Sequence, residues 1–414
     1  MHAMSFQKHA ISGFSWNALL KIATSLLTIA KVALTARLLT PTDFGIFSLI
    51  AIALGLTEST TQTGINLTIL QSKQSIHYFL NTAWVIAIAR GFLIGILMVF
   101  LGVLLGNYYD EPSLPALTAL AALIPVIKGF INPSIVTLHK ELKFFHDSIF
   151  RFSLAAAEAI LAVLFSFFIG SPVALVLALI FGALFEVAIS FSFFVDRPAF
   201  NYIPSRAKAI FANAKGLSIS SALNYVYENI DDFIIGKILG THTLGLYHNA
   251  YALTHKATAD IAKITHHATI PILSQIHDDG ARLYKAFSKS AGITFGFALV
   301  ASIPFFVWPE FVVLTLLGDQ WLGIVPLVPW LAGAGLLHAV SILGHSVLLA
   351  TRQYSFLNIY LAVSLGLLIT LLIVMSQKMG ANGVGPALVL SRLLSVPVLC
   401  IFIYKTFDKY KSST

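Results

Sequence analysis

"RLLTPTDFGIF" occupies residues 37–47, and "KILGTHTLGLY" occupies residues 237–247. The second stretch is a worn copy of the first, offset by 200 residues with no gap. Arg37 aligns with Lys237, Leu39 with Leu239, Gly45 with Gly245, and Ile46-Phe47 with Leu246-Tyr247. Each copy closes one long apolar segment and opens the next. A unit used twice implies a duplicated architecture, and the surrounding residues say in which solvent it operates.

Of the 414 residues, 57% are hydrophobic and only 11% are charged, against about 25% charged in an ordinary soluble domain. Such a chain cannot build a water-facing surface, so the lipid bilayer is the expected solvent. Twelve apolar segments are expected near 12–37, 44–70, 79–106, 114–138, 148–169, 172–195, 209–239, 244–275, 286–308, 322–350, 354–376 and 382–404. Turn signals separate them: "NYYDEPSLP" at 107–115, "GSP" at 170–172, "DRPAFNYIPSR" at 196–206 and "GDQW" at 318–321. The longest connection, about 196–208, joins segments six and seven. The N-terminus shows no cleavable-signal pattern. The single cysteine, Cys400, rules out an intrachain disulfide. The net charge of +8 does not point to nucleic acid, because the basic residues lie in short connections and not in one patch.

Those connections carry a strong asymmetry. Sixteen Lys and Arg residues fall on the side of the N-terminus, and only Arg37, Lys237 and Lys378 fall on the other. A positive-inside bias of that size places both termini in the cytoplasm. Segments one and seven hold equivalent places in two sets of six, and six is even, so the two sets share one orientation. The expected fold is an all-α polytopic membrane protein. About twelve transmembrane helices form two six-helix bundles, residues 1–200 and 201–414, related by a pseudo-twofold axis normal to the membrane.

Fourteen ionisable residues fall inside these segments: Lys21, Lys31, Glu58, Arg90, Lys128, Glu158 and Glu186 in the first half, then Glu228, Asp231, Asp232, Lys256, Asp260, Lys263 and Arg392. Each costs roughly 2.5–3.5 kcal/mol at a helix centre. Most must therefore face a wet cavity or one another. Lys256, Asp260, Lys263 and His267 are spaced four, three and four apart and share one helix face. They make either a cationic stripe or a network in which Asp260 neutralises both lysines. Segment seven carries a second polar face at Ser220, Ser221, Asn224, Glu228 and Asp231. Thr57, Glu58, Thr60, Thr61, Gln62, Thr63 and Asn66 give segment two hydroxyls and amides suited to sugars, although threonines also serve to pack helices.

"TARLLTPTDFGIFSLI" at 35–50 and "LNYVYENIDDFIIGKILGTHTLGLYHNAYAL" at 223–253 resemble the polysaccharide transporters of the multidrug/oligosaccharidyl-lipid/polysaccharide exporter superfamily. Weaker echoes are "LHKELKF" at 138–144, "GDQWLGIVPLVPWLA" at 318–332 and "GANGVGPALVLSRLL" at 380–394, so the resemblance touches almost the whole chain. It implies a flippase of the cytoplasmic (inner) membrane that moves a polyprenyl-diphosphate-linked oligosaccharide, such as an O-antigen, capsule or exopolysaccharide unit, by rocking two halves in alternating access. Under that reading Lys21, Lys31, Arg90, Lys128, Lys256, Lys263 and Arg392 are the expected contacts to the diphosphate and sugars. Charge-assisted bonds to phosphate oxygens are strong away from bulk water. Glu58, Glu228, Asp231, Asp232 and Asp260 are the expected coupling and gating groups, with H+ or Na+ as the coupling ion. The repeat aligns Asp231 with Lys31, so an ion pair made in one conformation and broken in the other is expected; the plain alternative is that Asp231 or Asp232 caps a wet helix end.

Two other functions compete. A drug or cation exporter of the same superfamily needs a cavity richer in carboxylates and aromatics. A membrane polymerase or ligase needs a substantial outward loop, and the outward loops here are short. No enzyme activity, cofactor or metal is expected: the chain has no phosphate-binding G-x-x-x-x-G-K-[ST] loop, and adjacent His266 and His267 point to different faces. His338 and His345, seven apart, are expected to pack or to line a polar cavity. The lipid bilayer and other polysaccharide-assembly membrane proteins complete the expected partners.

Overall fold

The chain turns at Thr40 because the sequence Thr-Pro-Thr-Asp encodes a helix start. Thr40 is extended (φ −80°, ψ 161°) and its hydroxyl accepts from the Asp43 N–H, while Asp43 Oδ2 accepts from the Thr40 N–H at 2.8 Å. This reciprocal cap, with proline at the first helical position, is the strongest local start signal a sequence can carry. Two hundred residues on, Gly240 (φ 81°, ψ 172°) is the one non-helical residue inside a 62-residue helix. Its positive φ is open to glycine and strained for other residues. The two copies thus bend the chain at the same register, one through a capped corner and the other through a glycine kink.

A computed structural model describes residue 20 and residues 23–411, apart from 73, 142, 195, 213, 277, 278 and 352. Among the described residues all regular structure is helical. The helices are α1 (Ala23–Ala36), α2 (Pro41–Thr60), α3 (Ile65–Gln71), α4 (Ile76–Tyr109), α5 (Leu114–Ala121), α6 (Leu123–Lys128), α7 (Val136–Lys140), α8 (Phe144–Ile169), α9 (Val173–Phe193) and α10 (Pro204–Phe211). They continue with α11 (Ala214–Gln275), α12 (Gly280–Val307), α13 (Pro309–Leu316), α14 (Val328–Ala350), α15 (Tyr354–Met379) and α16 (Val384–Lys411). They gather into two compact units, Met1–Asn229 and Ile230–Thr414.

Among the described residues seven helices are long and apolar enough to cross a membrane, or eight if one bent pair is a single span. The difference from twelve apolar segments has physical causes. The last two segments are two helices, α15 and α16, joined through a turn at Gly380 (φ 60°), and the single stretch Tyr354–Asp408 holds both. Segments seven and eight both lie in α11, whose Glu228, Asp231, Asp232 and the polar residues beyond Gly240 hold it below the hydropathy of a simple span. The first segment is described only as the 14 residues of α1.

In the first unit the fourth apolar segment is broken. Leu114–Lys128 and Pro133–Lys140 meet at 68°. A break inside the bilayer must have its backbone groups satisfied by protein, and this one has. Trp84 Nε1 donates to Phe130 O (3.1 Å), Asn132 N–H donates to Ser190 Oγ (3.1 Å), and Asn132 Nδ2 donates to Asp196 O (2.7 Å). Just before the break, α6 crosses α4 backbone to backbone. A methyl group at Gly91 would overlap the Pro125 carbonyl oxygen, and one at Gly129 would lie 3.0 Å from Ala87 O. Small residues permit such approaches in membrane helices. The crossing brings the neighbours of these glycines, Arg90 and Lys128, to the wall of one cavity. Gly91→Ala is therefore expected to cost about 1–3 kcal/mol by overpacking and to weaken transport by parting the two cations. A thermal shift in detergent, read beside Gly296→Ala, whose added methyl meets open space, checks the first part.

The connection at 196–208 is not a loose tether. Ala199 N–H donates to Asn81 Oδ1 (2.9 Å) and Ile203 N–H to Thr82 Oγ1 (3.2 Å). Arg206 sits 4.2 Å over the Tyr78 ring. Ala207 and Ile210 of α10 then enter a core with Ile69, Phe79, Leu80, Ile86 and Val136.

The second unit is built around α14, which carries buried residues from Val328 to Ala350. Leu348 packs with Leu357, Tyr360 and Leu399, and the Phe356 and Phe402 rings stack at 4.7 Å.

Candidate functional site

A cavity of about 510 Å³ opens within the first unit. Its polar lining is Glu58, Gln62, Thr63 and Asn66 from the end of α2 and the start of α3, Arg90 from α4, Lys128 from the end of α6, and Glu186 from α9. Five helices thus bring two cations, two carboxylates and three neutral hydrogen-bonding side chains to one space. They can meet there because α2 stops early: its last turn gives way to Gly64 in the left-handed region (φ 73°) before α3 begins. The break turns Glu58 through Asn66 along the cavity wall.

Arg90 holds that broken end together. Its Nε donates to Thr61 O (2.7 Å) and its Nη2 donates to Glu58 O (2.9 Å). A guanidinium at a helix C-terminus satisfies orphan carbonyls and meets the negative end of the helix dipole. Among the described residues Nη1 has no partner, which leaves N–H groups for a ligand. Glu58 supplies the nearest opposing charge. Glu186 feels Lys128 and Arg151 as attraction and Glu58 and Glu158 as repulsion. Glu158 in turn accepts an ion pair from Lys31 Nζ at 2.8 Å. The result is a connected field of alternating charge in which a doubly charged anion and its counterbalancing groups fit together.

Of the expected site residues, Glu58, Arg90 and Lys128 therefore converge on one cavity. Lys31 lies on α1, held by Glu158, so its ammonium already has a carboxylate of its own unit. Glu228 is exposed on α11. Asp231 is buried and accepts the Tyr247 hydroxyl. Asp232, also buried, lies 3.6 Å from His248 Nδ1. These two contacts span the Gly240 kink, so the aspartates tie the two limbs of α11 within the second unit. Arg392 lies 2.6 Å from His338 Nδ1, where a neutral ring accepts from the guanidinium, and His345 packs against Tyr360 with ring centroids 5.1 Å apart. Lys21 lies outside the described residues, as do the side chains of Lys256, Asp260, Lys263 and His267 on α11.

The threonine-rich stretch divides. Thr57, Thr60 and Thr61 return their hydroxyls to the carbonyls of Ala53, Leu56 and Thr57 at 2.7–2.9 Å, so helix bonding explains them. Gln62, Thr63 and Asn66 face the cavity. Glu186 and Glu158 count among the intramembrane charges but not among the expected coupling groups. The available signal was that each is a lone carboxylate in an otherwise apolar segment.

Known proteins resemble this chain in sequence and in fold. The family model described as "Polysaccharide biosynthesis protein" matches residues 34–326. The chain is 23% identical to lipopolysaccharide biosynthesis protein WzxC of Escherichia coli (strain K12) over 97% of its own length and 82% of the relative. It is 23% identical to teichuronic acid biosynthesis protein TuaB of Bacillus subtilis (strain 168), over 84% of this chain and 72% of that one. Among solved structures, the lipid II flippase MurJ in an inward closed conformation superposes with a TM-score of 0.71 at 13% identity, covering 95% of this chain and 89% of that one. An inward-facing multidrug resistance transporter of the MATE family gives 0.66 at 13% identity, covering 94% and 96%. At such identity these two report the fold alone. The match over residues 34–326, together with the apolar helices, makes this chain a multi-pass membrane protein of the polysaccharide biosynthesis protein family.

Proposed function

We propose that the chain is a flippase that carries a polyprenyl-diphosphate-linked oligosaccharide across the cytoplasmic membrane by alternating access. The observation that carries the reading is the placement of Arg90 and Lys128 in one intramembrane cavity beside Gln62, Thr63 and Asn66. Two cations suit a diphosphate, and the neutral donors and acceptors suit the first sugar. The names of the relatives support it, since one is a lipopolysaccharide and another a teichuronic acid biosynthesis protein, and the fold is that of a lipid II flippase. A drug or cation exporter fits less well, because each carboxylate of the cavity is opposed by a cation. The working halves in this reading are 1–200 and 201–414, with both termini cytoplasmic. Glu58, Glu186 and the Asp231–Asp232 pair are the candidates for coupling to H+ or Na+, and other polysaccharide-assembly membrane proteins are its partners.

Flipping of a fluorescent polyprenyl-diphosphate oligosaccharide in proteoliposomes tests this. Lys128→Ala removes a charged hydrogen bond of about 1.5–3 kcal/mol, so transport should fall roughly 10- to 100-fold at 1.4 kcal/mol per decade, and Lys128→Arg should restore part of it. If Lys128→Ala flips like wild type, the diphosphate is bound elsewhere. If wild type flips nothing and expels a lipophilic cation, the exporter reading replaces this one.

A further inference from the structure

Arg90, Gln62 and Thr63 line two cavities at once. Behind the charged one lies a second of about 570 Å³, completed by Val85, Ile86, Ala89 and Leu93 of α4, by Tyr202 and Phe211 at the two ends of the α10 segment, and by three hydroxyl residues. Those hydroxyls are occupied: Thr60 donates to Leu56 O (2.9 Å), Thr61 to Thr57 O (2.7 Å) and Ser218 to Gln62 O (2.7 Å). What they present to the cavity is mostly methyl and methylene surface. A space with pinned hydroxyls and an aliphatic and aromatic wall is poorly suited to an oligosaccharide, whose many hydroxyls each need a partner.

We propose that this second cavity holds the stretch of lipid chain bonded directly to the diphosphate. The proposal rests on the flippase reading above, and it adds where the lipid sits. Phosphate and lipid are one covalent molecule, so their sites must adjoin, and here they share a wall. The depth agrees. Val85 to Leu93 lie nine to seventeen residues into α4, which at about 1.5 Å per residue is about 14–26 Å along the helix and within a hydrocarbon core about 30 Å thick. Leaving the bilayer for this cavity yields no hydrophobic gain, since lipid tails are as apolar as leucine. The contribution is positional: with the chain held, entry of the diphosphate into the charged cavity becomes an intramolecular step.

The test uses two photoreactive probes in proteoliposomes of the full chain. Both are polyprenyl-diphosphate oligosaccharides; one carries a diazirine on the lipid chain next to the diphosphate, the other on the first sugar. The chain probe should label peptides 85–93 and 202–211, with unlabelled lipid competing. Ala89→Trp, which fills the cavity, and Phe211→Ser, which removes part of its wall without crowding, should both lose that label. The sugar probe should still label the charged cavity in both variants, which also reports that they fold. The proposal is overturned if the chain probe labels only the exposed Ile96 and Phe100 of α4 or the second unit, or if the sugar probe labels this cavity instead. Failure of the flippase reading looks different: wild type flips neither probe, and unlabelled lipid competes with neither.

Discussion

Arg90→Ala is expected to abolish transport and to destabilise the first unit by about 2–4 kcal/mol, the loss of two charge-assisted hydrogen bonds of about 1.5–3 kcal/mol each reduced by partial solvent access. The bonds at stake are those to Thr61 O (2.7 Å) and Glu58 O (2.9 Å). Without them the C-terminal carbonyls of α2 lose a charged cap, and the Glu58 side chain loses a neighbouring cation. Arg90→Lys should recover only part of the stability, because a single ammonium cannot span two carbonyls as the planar guanidinium does. Lys128→Ala is the control: it empties the same cavity of a cation and leaves the α2 cap untouched, so it should lower transport with little thermal shift. Thermal unfolding in detergent and flipping in proteoliposomes, run on all three variants, separate the two roles. Wild-type stability in Arg90→Ala would show that the cap is dispensable.

That double duty of Arg90 was half legible in the sequence. A lone arginine midway along an apolar segment is expected to face polar company. Which company depends on the crossing of α2 and α4, and the acceptors lie 29 and 32 positions away. The same limit applies to Gly91 and Gly129. They are visible as glycines, but only the packed helices reveal that their backbones touch and so bring Arg90 and Lys128 to one cavity. Features encoded within a few residues read more easily. The repeated corner was one, because the capping box at Thr40 and the positive φ at Gly240 are local chemistry. The hydroxyls of Thr57, Thr60 and Thr61 were another, since a threonine inside a helix commonly bonds back to the carbonyl four residues earlier. Average hydropathy alone passes over α11, although the two segments expected there, 209–239 and 244–275, meet at its Gly240 kink. Hydropathy scores a window by its average, and a helix that faces lipid on one side and polar groups on the other averages to neither.

Lys31 finds its partner within the first unit. The 200-residue repeat aligns it with Asp231, yet it holds Glu158, 127 positions away, at 2.8 Å, and Asp231 takes the Tyr247 hydroxyl from its own copy of the repeat. The pair joins α1 to α8, with side chains 27% and 35% exposed. Breaking a fully buried ion pair costs about 3–5 kcal/mol; with a third of each side chain accessible, about 1–3 kcal/mol is expected for Lys31→Met. The larger consequence is electrostatic. Glu158 already repels Glu186, and without Lys31 that repulsion is opposed at Glu186 by Lys128 and Arg151. Glu158→Leu alone should strand the lysine at similar cost. Combining Lys31→Met with Glu158→Leu should restore stability to near wild type, because an apolar pair needs no desolvation. Transport should not return fully with it, since the charges around Glu186 are then altered. The reversed pair, Lys31→Glu with Glu158→Lys, should be stable and should place a cation beside Glu186, shifting the pH dependence of flipping. Both double variants are read by thermal shift and by flipping across pH. If the apolar double variant is as unstable as either single one, the pair does not act as a unit. If it flips like wild type, these charges hold α1 to α8 and play no part in the field of the cavity.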